Sequence, residues 1–169
     1  MITTQELTLN HIYHQELTEL LRTEKKYAKF FLKLGAKSHV KELKTALSPE
    51  QTDIQQLIER LKQGINLHKQ KGKIINQQLD DATLNCGTSI LKLKTADIFT
   101  DIRIIHHTQQ IFIFRIGAYQ ILCGLAKALQ QDQALVLLEQ SLKDIQNHYG
   151  YLIQVSGNVV YPQVKNNSN

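Results

Sequence analysis

Apolar residues in the first fifth of the chain recur every three or four positions, so that Leu17, Leu20, Tyr27, Phe31 and Leu34 share one side of a helix. Thr3 or Thr4 supplies its cap, and Gly35 closes it after Leu34. A second helical segment opens at Ser38 and reaches about Gln70, interrupted where Ser48-Pro49-Glu50 reads as a fresh cap with proline in the first turn. The pattern weakens from Gly72 to Ala96, where Asp80-Asp81, Asn85 and Gly87 suggest a long connection carrying a short helix around Thr88 to Leu93. Two more long helices follow, from about Asp97 to Leu129 and from about Gln131 to Val155, joined so tightly that they must be antiparallel neighbours. Residues 157–169 read as a flexible tail, which leaves 1–156 as one helical unit. Two helical hairpins tied by one long crossover make an all-α, ferritin-like four-helix bundle.

With 42% hydrophobic residues, only two prolines and eight glycines, the composition suits a single helical domain with a sizeable core. The start, MITTQELTLN, has neither the apolar segment nor the cleavage site of a secretory signal, and a cytoplasmic location is expected. Cys86 and Cys123 are too few and too far apart for a disulfide framework or a zinc site, and read as ordinary reduced thiols. Residues 22–73 hold thirteen Lys or Arg against five acids, and Arg22, Lys25, Lys29 and Lys33 form one basic edge of the first helix. No aromatic platform or groove-reading motif accompanies that edge, so it reads as a solvated face rather than a nucleic-acid site, with an acidic partner as the alternative. Neither cysteine has a histidine at recognisable motif spacing and no phosphate loop appears, so no nucleophilic centre can be assembled.

The third long helix carries the most informative residue. Between Ile104 and Ala126 the only formal charge is Arg115, set among Phe112, Phe114, Ile116 and Tyr119. An unpaired buried cation costs several kcal/mol or more, so a carboxylate must face it. Glu24, on the apolar stripe of the first helix, is the candidate, and Asp53 a second one. His106, His107, Gln109, Gln110 and Arg115 interrupt the stretch too often for a membrane span of about 20 apolar residues. Its apolar residues nevertheless occupy more than one side, which calls for a homodimer through the third helix. Glu50 and Asp53, three apart, and Asp144 and His148, four apart, each share a helix face and could contribute to a metal site. His11, His14, His106 and His107 read as scattered surface residues.

At these residues the chain resembles the YciE/YciF-like ferritin-like proteins of bacteria. QELTELLRTEKKY is similar to that family's DEL.DLY.AEKQL, with Glu24 at the motif's glutamate, which the resemblance implies as a metal ligand. KELKTALSPEQTDIQQLIERL, DIRIIHHTQQIFIFRIGAYQIL and LLEQSLKDIQNH follow the family's order and spacing over most of the chain, and Cys86 sits near a cysteine of the family's crossover. Where the family carries a VEHYE run rich in ligands, this chain reads Ile111-Phe112-Ile113-Phe114-Arg115. The family's helix-two histidine position holds Glu50, and its paired acids in the last helix survive only as Asp144 beside Ile145. The expectation is a degenerate centre with no metal, in which Arg115 takes over the cationic role, pairs with Glu24 and Asp53, and Phe112 fills the remaining volume. Such a protein is structural or interaction-forming and, by resemblance, linked to stress response. The alternative is a di-iron or di-manganese protein built from Glu24, Glu50, Asp53, Asp144 and His148 that reacts with oxygen or peroxide.

Overall fold

A computed structural model describes residues 8–68 and 78–166, all in helices and the turns between them. Helix α1 spans Leu9–Lys37, capped by Thr8, whose hydroxyl accepts a hydrogen bond from the His11 amide at 3.3 Å. The cap therefore lies later than Thr3 or Thr4, which fall outside the described residues. Gly35 is buried within the last turn rather than beyond it.

The second segment is broken twice. Helices α2 (Lys41–Ala46), α3 (Pro49–Thr52) and α4 (Ile54–His68) succeed one another. Ser48 accepts from the Gln51 amide with Pro49 in the first turn, as the sequence suggests. The second break is at Asp53, which takes the left-handed conformation at φ 43°, a region that costs most residues except Gly, Asn and Asp appreciable strain.

The crossover helix α5 runs Gln78–Leu91, longer and earlier than the Thr88 to Leu93 turn the polar residues suggest. Gly87 is a packing contact within it, not a helix breaker. A Cβ there would lie 2.4 Å from both Nε2 of His107 and Cζ of Phe30, so only glycine lets α5 settle on its neighbours. Lys26 of α1 pairs with Asp81 of α5 at the surface.

Helix α6, Ile98–Ala128, begins at Asp97, whose carboxylate accepts the Thr100 amide at 2.8 Å. These bonds from Thr100 hold the Asp97 pKa below the usual carboxylate value. Gln130, left-handed at φ 56°, turns the chain into α7, Asp132–Val155. Within the segment read as a tail, a π-helical turn, Ser156–Val160, leads into α8, Tyr161–Asn166, and Val160 is fully buried, while 167–169 lie outside the described residues.

Helices α1 and α4 form one hairpin-like pair, α6 and α7 the other, and the pairs pack through α1 against α6 and α4 against α7. Helix α5 lies across α1 and α6. Tyr13, Leu17, Tyr27, Phe31, Leu57, Leu61, Ile111, Phe112, Tyr119 and Ile145 are among the residues that fill the centre. This is the ferritin-like four-helix plan with a helical crossover. By length and composition α6 could cross a membrane, although a third of its most apolar window is buried within the bundle. It is apolar all round rather than one-sided, and Phe99, Ile113 and Ile121 remain more than half exposed.

Candidate functional site

Glu24 of α1 and Arg115 of α6 meet in the middle of the bundle, both fully buried. Arg115 donates from Nε to Glu24 Oε1 at 2.9 Å and from Nη2 to Oε2 at 2.8 Å. This side-on fork uses the planar guanidinium in a way lysine could not match. Aromatic rings close the pair off. The guanidinium carbon lies 5.1 Å from the centre of the Phe112 ring and 5.6 Å from that of Phe31, within cation–π range. The two rings stack at 5.6 Å, and Phe112 stacks again on Tyr149 of α7 at 6.0 Å.

Sequence order explains why these side chains meet. Glu24 falls between Leu20 and Tyr27 on the buried stripe of α1. Arg115 follows Ile111 and Phe112, and precedes Tyr119, on the α6 face turned to the core.

The other acids lie elsewhere. Asp53 does not join the pair: the left-handed turn at its own backbone leaves its side chain 47% exposed, with Oδ2 3.8 Å from His148 Nε2. Asp144 accepts from Arg60 Nη1 at 2.5 Å and from Gln140 Nε2 at 3.1 Å at the α4–α7 rim. Glu50 is exposed. Among the described residues no three His, Cys, Asp or Glu side chains gather as a metal-ligand group. A di-metal centre of the ferritin-like kind needs bridging carboxylates with free oxygens, and Glu24 has both of its oxygens engaged by a cation. The donor set, as arranged, does not fit such a centre.

His148 of α7 is largely buried beside Asp53. Burial lowers its pKa, the Arg115 charge adds to the lowering, and Asp53 and Asp144 pull the other way. Tyr119 is fully buried, and desolvation together with the Glu24 charge holds its phenol well above its ordinary pKa.

Two histidines expected at the surface are interior. His14 lies beside Tyr13 on α1, and His107 packs edge-on against Phe30 at 5.7 Å. Burial lowers the His107 pKa. His11 and His106 are exposed, bonded to Thr8 and Gln110. Both cysteines are free thiols, Cys86 exposed and Cys123 half-buried, with burial pushing the Cys123 pKa up to about 11. Arg22, Lys25, Lys29 and Lys33 are all exposed along α1.

One buried acid escaped the sequence reading. Asp101, in the first turn of α6, is fully buried and accepts the backbone amides of His39 and Val40 at 2.8 Å each, pinning the corner between α1 and α2. Its position just after the Asp97 cap made it look like an ordinary first-turn acid.

Most of the chain can be superimposed on known structures of this plan. It is similar to the E. coli stress protein YciF, with a TM-score of 0.82 and 19% identity, covering 90% of this chain and 97% of that one. It is similar also to YcfI from Rhodopseudomonas palustris, described as "a putative structural protein", with a TM-score of 0.81 and 19% identity, covering 92% and 99% of the two chains. No curated protein sequence matches it. Residues 8–164 match the family described as "Domain of unknown function (DUF892)", and with that span the chain belongs to the DUF892 family of YciF-like proteins.

Proposed function

We propose that the protein is a structural or interaction bundle linked to stress response, with an ion pair in place of a metal centre and self-association through α6. What supports the first part is the Glu24–Arg115 fork: the carboxylate of Glu24, fully buried where α1 meets α6, is already neutralised by a guanidinium. A divalent cation would have to displace that guanidinium and bury a second positive charge beside it, at a cost of several kcal/mol. The stress and structural descriptions of YciF and YcfI agree with the role.

Support for self-association comes from Ile113 and Ile121, 58% and 59% exposed and two turns apart on α6. A second copy of the chain would cover them. Sedimentation of the wild type as a dimer, and of Ile113→Lys/Ile121→Lys as a monomer, is the expected result.

The centre is tested by anaerobic iron(II) titration of protein purified without chelator, with Glu24→Ala as control. Stoichiometry near zero and insensitive to Glu24 is expected. About two metals per chain, lost in the variant, would overturn the reading in favour of a redox protein using Glu24, Glu50, Asp53, Asp144 and His148.

A further inference from the structure

We propose that α5 is a strap that acid releases: protonation of His107 unseats it from α1 and α6 while the four helices of the bundle stay packed. The strap is lightly held. Of residues 81–91 only Gly87 and Ile90 are buried, and the elements α5 packs against are α1 and α6. An element with so little buried surface opens before the core does.

The seat is built around one imidazole. His107 is buried, its ring meets Phe30 of α1 edge-on with centroids 5.7 Å apart, and a Cβ at Gly87 would stand 2.4 Å from its Nε2. Nε2 therefore faces bare helix backbone, and it has no hydrogen-bond partner among the described residues. The Thr83 backbone, one turn earlier in α5, hydrogen-bonds the ring. Whichever nitrogen carries the proton in the neutral ring, the charged ring must donate from both. An N–H at Nε2 abuts Gly87 with no acceptor opposite it, and α5 has to move away for that donor to reach water.

The groups around the ring do not balance the added charge. On α6, His106 acts in the same direction as burial, and Arg103 precedes the ring by one turn. On α1, Lys26 and Lys33 lie one turn to either side of Phe30. Among the described side chains of α5, Asp81 is paired with Lys26 and Cys86 is an exposed thiol. Asp101, further back on α6, accepts the His39 and Val40 amides.

Burial makes the docked ring harder to protonate than a solvated one. Docking is thus at full strength above pH about 6.5 and weakens as pH falls below it, by at most about tenfold per pH unit for one proton. The Lys26–Asp81 pair does not titrate in that range, because the bond from Lys26 holds the Asp81 pKa below the ordinary carboxylate value. Release uncovers Phe30 and the seam of α1 and α6 beneath the strap.

Amide hydrogen exchange of the full chain at pH 7.5 and pH 5.0, corrected for the intrinsic pH dependence of exchange, tests this. In the wild type, residues 83–90 should be less protected than α4 at both pH values, and their protection should fall by about three- to thirtyfold in acid. In His107→Gln that fall should vanish, and in His106→Gln it should remain. Gly87→Ala, which pushes α5 off the ring, should lose the protection of 83–90 at pH 7.5 while α4 keeps its own. The proposal is overturned if 83–90 and α4 exchange with equal protection, if the protection of 83–90 does not change with pH, or if it falls as far in His107→Gln as in the wild type.

Discussion

Two arginine–carboxylate pairs tie facing helices together, and they teach opposite lessons. Arg60 and Asp144 join α4 to α7 at the rim, with side chains 18% and 17% exposed. Glu24 and Arg115 join α1 to α6 at the centre with no exposure at all. The rim pair has substitutes at hand: Gln56 accepts a second bond from Arg60, and Gln140 donates to Asp144. Among the described residues the central carboxylate has Arg115 alone as an ion-pair partner, and bulk water does not reach it to replace the guanidinium. The net contribution of a buried pair to stability is small, because desolvation offsets attraction, yet the loss of either half is severe. The central pair therefore specifies which faces of α1 and α6 meet more than it strengthens their meeting.

The comparison is broken most forcefully by Arg115→Met. Leaving Glu24 ionised or forcibly protonated in the core should cost about 3–5 kcal/mol, read by urea denaturation. Replacing both partners, as Glu24→Leu/Arg115→Met, should restore wild-type stability or exceed it by about 1–4 kcal/mol. A double variant as unstable as the single one would mean that the pair contributes net stability. The corresponding rim substitution, Arg60→Met, should cost no more than about 1 kcal/mol, and that difference should shrink further in molar salt.

The smallest effect is one of pH. His148 has its folded-state pKa below the ordinary 6.5 because burial and Arg115 disfavour the imidazolium. The unfolded chain therefore binds the proton more readily, and stability should decline as pH falls through about 6.5. Asp53, which pulls the pKa up, moderates the decline. In Asp53→Asn the fall between pH 7 and pH 5 should be steeper than in the wild type, measured as the midpoint of urea unfolding.

The ease with which these regions could be read from sequence follows the same physics. A single charge flanked by Phe112, Phe114 and Ile116 announces a buried cation, and the cost of burying it directs attention to Glu24. The cap residues Ser48 and Asp97 declare their helix starts by local chemistry alone. Asp53 was illegible because its direction depends on one left-handed backbone, which removes it from the face it would occupy in a continuous helix. Helix α5 was partly hidden because Gly87 looks like a break, when its absent side chain is what allows Phe30 and His107 to approach. The order in residues 156–166 comes from packing against α6, α7 and α2, a tertiary effect without a local signal.

Asp101 has a consequence for how the chain assembles. The amides it accepts, those of His39 and Val40, are separated from it by 62 and 61 residues. The turn that ends the first long helix is thus completed by a side chain synthesised long after it, at the opposite side of the crossover. Contacts of such span slow the search for the native state. The first hairpin cannot finish its own corner during synthesis, and its full rigidity must wait for the arrival of the second.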